Sequence, residues 1–159
     1  MNLLDKEITQ KISNNHLGQF KDVIAKLFQC CQERMQYQSE RFGLPEAELR
    51  CLILFGDERY LTPKRIAQKM NVVKSRVTKI VQGLIKKQLL QRIKDPEDSR
   101  VTLLSLTPNG QKKINDINAF INEIHQEVLI RIVPEQRKSL LLSLDVLASS
   151  MQAAKDLMV

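Results

Sequence analysis

Lys74, Ser75, Arg76, Thr78, Lys79 and Gln82 crowd together in a 159-residue chain. A short way on, Asp98 and Arg100 stand two apart in the turn Asp95-Pro96-Glu97-Asp98-Ser99-Arg100. Nothing in these types and spacings resembles a nucleophile–base pair, a phosphate loop or paired carboxylates in a cleft, so no enzyme and no catalytic residues are expected. The side chains are instead hydrogen-bond donors, or donor-acceptors, set among fixed cations. Lys and Arg neutralise phosphates, while Ser, Thr, Gln and Arg can reach the edges of bases. Asp98 can accept from a guanidinium and hold it, or a neighbouring arginine, in one pose. The chemistry is recognition of a polyanion rather than turnover.

The charge distribution agrees. From Arg59 to Lys94 there are eleven Lys and Arg residues and no Asp or Glu, against a net charge of +7 for the whole chain, so the remainder is net acidic. A solvated lysine-rich face would produce the same run. A basic footprint on an acid-leaning body is favoured because the run coincides with a patterned structural unit. With 43% hydrophobic and 27% charged residues, the composition is that of a soluble globular protein, long enough for one domain or for one domain with helical arms. Aromatics at 4% and only five Gly and five Pro argue against a β-rich or low-complexity chain. No apolar run approaches membrane-spanning length and the opening Met1–Glu7 lacks a signal-peptide pattern, so no membrane partner and a cytoplasmic location are expected. Three cysteines without CxxC spacing point to a reducing compartment.

The elements that must carry these residues are mostly helical. Ile8, Ile12, Leu17, Phe20, Ile24, Leu27, Cys31 and Met35 recur every three to five positions and predict an amphipathic helix over 6–40. Gly43-Leu44-Pro45 breaks it before a helix from Glu46 to Phe55. Thr62 then caps a short helix that has Pro63 in its first turn and runs to Met70, and Asn71 can take the left-handed conformation that ends it. A further helix is predicted from Val73 to Lys87, with Val77, Ile80, Val81, Leu84 and Ile85 as its buried stripe. Its opposite face carries Ser75, Lys79, Gln82 and Lys86, flanked by Lys74, Arg76 and Thr78. Two short helices with a tight turn, the second basic, make a helix-turn-helix. Any amphipathic surface helix has a polar outside, but that alone does not explain why neither helix carries a carboxylate. Leu89–Lys94 and Val101–Leu106 read as two strands around the charged turn, a wing whose tip would follow the adjacent minor groove with Arg100 as its cation.

The predicted fold class is mainly α with a small β-hairpin wing: a winged helix-turn-helix with long N- and C-terminal dimerisation helices. The candidate DNA-binding residues are Thr62, Lys64, Lys74, Ser75, Arg76, Thr78, Lys79, Gln82, Arg92, Lys94, Asp98 and Arg100.

Taken together, TPKRIAQKMNVVKSRVTKIVQGLIKKQLLQR, the wing DPEDSR and the following LTPNG resemble the MarR-type (multiple antibiotic resistance regulator) winged-helix repressors of bacteria and archaea. The resemblance covers nearly the whole chain. Ser75 and Thr78 match the family's recognition-helix Ser and Thr, Asp98 and Arg100 its wing pair, and Gly110 its Leu-Thr-x-x-Gly glycine. Gln88 departs from the pattern, since the family usually has glycine after the recognition helix, and the departure implies a less comfortable helix exit. The resemblance implies a ligand-responsive repressor acting as a homodimer on an inverted-repeat operator in double-stranded DNA. If there is an effector, it implies a small aromatic or phenolic acid bound between the dimer helices and the winged domain.

Ile114, Ile117, Ile121, Ile124 and Val128 follow a heptad seam, and Leu140, Leu144, Leu147, Met151, Ala154 and Met158 form a second. Such seams could pack within one subunit, yet a winged-helix core needs far fewer residues than this chain offers. The resemblance implies that they intertwine with a partner, and Phe20, Ile121, Ile124, Leu144 and Met151 are the candidate dimer contacts. The expected organisation is a single MarR-like domain over 1–159, with a DNA-binding lobe at 46–107 and a helical dimerisation lobe from 6–40 and 108–158. Cys30, Cys31 and Cys51 are read as small buried hydrophobes. His16 and His125 are isolated, so no metal or cofactor site is expected. The contrasting reading is a winged-helix protein-interaction module without DNA binding. The uninterrupted basic run argues against it, because a protein-binding wing would carry mixed charge or an apolar patch.

Overall fold

The computed structural model describes residues 12–158. Its elements are α1 (Asn14–Phe42), α2 (Glu46–Ile53) with a 3-10 turn (Leu54–Gly56), α3 (Pro63–Met70), α4 (Lys74–Lys86), β1 (Leu90–Lys94), β2 (Thr102–Leu106), α5 (Pro108–Ile130) and α6 (Pro134–Asp156). The order is that of a winged helix-turn-helix flanked by long helices. One compact unit runs to Gln111 and a second begins at Lys112.

The long first helix does not start at residue 6. Ile12 and Ser13 are non-helical, and the Ser13 hydroxyl accepts from the His16 N–H at 3.2 Å, so a side-chain cap starts α1 at Asn14. Ile12 is 71% exposed rather than part of an apolar stripe. Residues 6–11, including Ile8, lie outside the described residues. At the other end α1 runs to Phe42, where Gly43 takes the left-handed conformation that Pro45 then follows. The cysteines divide: Cys51 is buried in α2, as expected, but Cys30 and Cys31 are exposed on α1. Burial first, and then the carboxylate of Glu48, push the Cys51 thiol up to about 12, so it stays protonated and inert.

The core of the first unit is made by Leu49 and Leu52 of α2, Ile66 and Met70 of α3, Val77, Ile80, Val81 and Leu84 of α4, and Leu90 and Leu104 of the hairpin. α4 packs on both α2 and α3. Each element thus buries one apolar stripe and leaves its polar stripe outside.

The junction between α4 and β1 is the strained place. Gln88 has a φ of 59°, a conformation that costs a residue with a Cβ about 1–2 kcal/mol. It ends α4 much as a glycine would, with its own N–H donating to the Ile85 carbonyl at 2.9 Å and the Leu89 N–H to the Leu84 carbonyl at 3.0 Å. Thr107 holds the strained residue from outside: its hydroxyl donates to the Gln88 carbonyl at 2.6 Å and its N–H to the Leu89 carbonyl at 3.1 Å. Gly110 lies against that carbonyl, where any Cβ would overlap the oxygen. Gln88→Gly should relieve the strain, less the extra chain entropy of glycine. Thermal denaturation followed by circular dichroism is expected to show a gain of about 1 kcal/mol, or roughly 2–4 °C in Tm. An unchanged or lower Tm would mean that Thr107 and Gly110 have already removed the strain.

Candidate nucleic-acid interface

The helix-turn-helix is assembled from local signals. The Thr62 hydroxyl accepts from the Arg65 N–H at 3.1 Å and Pro63 fills the first turn, which fixes the start of α3. Asn71 (φ 52°, ψ 51°) ends it in the left-handed region, with the Val72 N–H donating to the Ala67 carbonyl at 3.1 Å. Two residues later α4 begins. No side chain caps α4, which leaves the Lys74 and Ser75 amides without a capping side chain at the positive end of the helix dipole. A phosphate oxygen would satisfy them.

Lys74, Ser75, Arg76, Thr78, Lys79 and Gln82 are all exposed on α4, and Lys64 is exposed on α3. The Thr78 hydroxyl donates back to the Lys74 carbonyl at 3.2 Å, leaving its oxygen as an acceptor. Thr62 is half-buried and its oxygen is engaged as the cap, so what it can offer a phosphate is its hydroxyl hydrogen. The α4 side chains share the outer face of that helix because its other stripe is buried.

The hairpin pairs antiparallel from Leu90 opposite Leu106 to Lys94 opposite Thr102, with Arg92 opposite Leu104. The two-residue alternation puts Arg92 and Lys94 on the strand face of Leu90, which lies toward the core, while Gln91 and Ile93 take the other face. Arg92 and Lys94 are exposed. A third chain segment joins the sheet. Leu61, just before the Thr62 cap, bridges Leu104 through hydrogen bonds of 3.0 and 2.8 Å, so the start of α3 is tied directly to the wing.

The wing tip is braced rather than loose. The Asp95 N–H donates to the Val101 carbonyl at 3.1 Å, and the Glu97 N–H to Asp95 Oδ1 at 2.9 Å. Asp98 Oδ1 accepts from the Arg100 N–H and from Arg100 Nε, both at 3.1 Å, and Oδ2 accepts from Nη2 at 3.4 Å. The guanidinium beside Asp98, and then the Arg100 amide, hold its carboxyl below the usual aspartate range. Arg100 nevertheless keeps 89% of its side chain in solvent. A cation held in a fixed pose at the end of a short hairpin is suited to a narrow, negative groove.

Sequence reasoning missed two ion pairs. Lys69 pairs with Glu58, and Lys87 Nζ pairs with Glu48 Oε2 at 2.8 Å, which removes both lysines from the outward cation set. The Lys69 pair holds the Glu58 carboxyl below its ordinary range. Glu58 stands next to the basic run, and Glu48 interrupts the apolar stripe of α2, which was the available signal for it.

The sequence profile described as the MarR family matches residues 44–102, the stretch from the end of α1 through the wing. The HTH-type transcriptional repressor MdtR of Bacillus subtilis (strain 168) is 32% identical over 110 residues, covering 69% of this chain and 71% of that protein. YdgJ of the same organism, an uncharacterized HTH-type transcriptional regulator, is 28% identical over 106 residues, covering 67% of this chain and 63% of its own length. Among solved structures, the S. aureus MepR–DNA complex superposes with a TM-score of 0.64 at 19% identity, covering 82% of this chain and 98% of that one, a likeness of fold.

Proposed function

The chain belongs to the MarR family of transcriptional regulators, and from that membership we propose that it binds duplex DNA as a homodimer and represses transcription from an inverted-repeat operator. The observation that carries this reading is a set of exposed cations on the helix-turn-helix and its wing. Lys64, Lys74, Arg76 and Lys79 lie exposed on two helices that carry no carboxylate, and Asp98 holds an exposed Arg100 at the wing tip. In this reading α4 enters the major groove with Ser75, Arg76, Lys79 and Gln82 toward base edges, and Thr62, Lys64, Lys74, Arg92 and Lys94 meet phosphates. The protein with the MdtR name is a repressor, and the MepR structure of the same fold holds DNA; both support the reading.

The DNA-binding lobe is taken as 46–107. The dimerisation lobe is built from α1 with the segment 108–158, using Phe20, Ile121, Ile124, Leu144 and Met151. No described helix is long and apolar enough to cross a membrane, and we place the protein in the cytoplasm with its DNA. A small aromatic or phenolic acid is the proposed effector class. It would lower operator affinity by binding the DNA-incompetent arrangement more tightly. The regulator needs no catalytic group.

Selection from a random duplex library tests the function and defines the operator in one experiment. The expected product is an inverted repeat whose half-sites lie about one helical turn apart, roughly 34–36 Å. Enrichment of no sequence above salt-sensitive background binding would reject sequence-specific regulation and favour a protein-interaction module.

A further inference from the structure

Glu48 occupies the first turn of α2 and reaches across to the far end of α4. At α2 its charge is favoured by the helix dipole. Beside the last turn of α4 the dipole opposes it, and the residue is only 8% exposed. Lys87 supplies the compensation from the more exposed side, where its own side chain is 40% accessible. The carboxylate is also seated on α4 itself: a Cβ on Gly83 would overlap Glu48 Oε1. A part-buried ion pair contributes little net stability, because desolvation offsets its attraction, but it fixes a geometry when both partners must meet.

We propose that Glu48 is a positioning residue for DNA recognition: paired with Lys87 and seated on Gly83, it latches α2 to the end of α4 and fixes the rotation at which α4 presents Ser75, Arg76, Lys79 and Gln82. Glu48 itself touches no DNA. The latch rests on the DNA-binding reading above for its consequence, but it exists in the free protein. Gly83 is required in α4 because the carboxylate occupies the space of its side chain, and not because the backbone there is unusual.

The test combines amide hydrogen exchange of the free protein with fluorescence anisotropy on the selected operator and on single-base variants of it. Glu48→Gln keeps the shape and removes the charge. It is expected to lower affinity about 2- to 30-fold and to blur base preference without changing the salt slope, since no phosphate contact is lost. Exchange should quicken at the amides of the last turn of α4, with α3 unaffected. Gly83→Ala should copy these losses by displacing the carboxylate. In a Glu48→Ala background the same alanine should add nothing, because the oxygen it would meet is gone. A merely structural role would lower Tm and leave the folded protein's affinity and base preference unchanged. The latch is overturned if folded Glu48→Gln keeps wild-type affinity, base preference and α4 exchange. If the unmodified protein binds no DNA, the functional reading falls separately and α4 exchange still decides the latch. If Glu48→Gln does not fold, Lys87→Met breaks the same pair from its exposed end, and unchanged α4 exchange in that variant overturns the proposal.

Discussion

Leu144→Glu should leave a folded monomer that no longer holds its operator. α6 has no buried residue within a single chain, and Leu141, Leu142, Leu144, Val146 and Met151 are between 43% and 66% exposed along it. A helix that is apolar on most of its circumference belongs between other helices rather than in water. α1 presents a comparable surface, with Phe20 at 48% and Phe28 at 63% exposure. In the proposed homodimer a second copy of the chain covers these faces. A carboxylate introduced there would be buried without a partner, at a cost on the order of several kcal/mol, and twofold symmetry incurs that cost twice. Each 1.4 kcal/mol is about a tenfold change in dissociation constant, so the dimer should be lost at working concentrations. Operator affinity should then fall more than about a hundredfold, because each lobe would bind its half-site without the effective concentration supplied by the other. Ile121→Lys, at a half-buried seam position, should act in the same direction. Sedimentation velocity over a concentration series decides the matter. The unmodified protein should sediment as a dimer throughout, and a concentration-independent monomer would sink the claim.

What could be read in the sequence was what is local to it. The Thr62 cap meets an amide three residues on, the left-handed Asn71 depends on its own side chain, and the Asp98–Arg100 brace spans two residues. Gln88 belongs with these in part: where the family usually has glycine, a less comfortable helix exit was expected, and the residue takes a φ of 59° there. The contacts that were not legible join distant segments. Glu48 and Lys87 are thirty-nine residues apart, and the Leu61–Leu104 bridge brings the start of α3 to the wing through backbone atoms that carry no residue-type signature. Periodicity also ran too far at α1. Ile12 continues the apolar spacing, but the Ser13 hydroxyl accepts from a helical amide and sets the start of α1 at Asn14. Likewise, the spacing placed Cys31 in an apolar stripe, whereas in one chain it is exposed, because that part of α1 has no covering element of its own.

The wing offers the prediction with the most informative sign. Arg100→Ala is expected to weaken binding about tenfold across many sequences and to reduce the salt slope by about one, because the lost interaction is attraction to phosphates and a narrow groove. Asp98→Asn makes the protein more positive. A purely electrostatic footprint therefore predicts tighter binding from it. The geometry predicts the opposite: both carboxylate oxygens are engaged with the Arg100 guanidinium, and an amide cannot offer two charged acceptors to that fork. The freed guanidinium regains conformational entropy, which must be lost again on binding, so part of the Arg100→Ala defect should appear with the arginine still present. Acid should not imitate the variant near neutrality. The Asp98 carboxyl is held below its ordinary range, so the brace is complete above that range and is lost only as the pH falls through the lowered value. Fluorescence anisotropy on the selected operator at several salt concentrations reads both variants. If Asp98→Asn binds more tightly and Arg100→Ala binds as the unmodified protein does, the hairpin tip is an ordinary surface turn and the positioned-cation account of the wing is wrong.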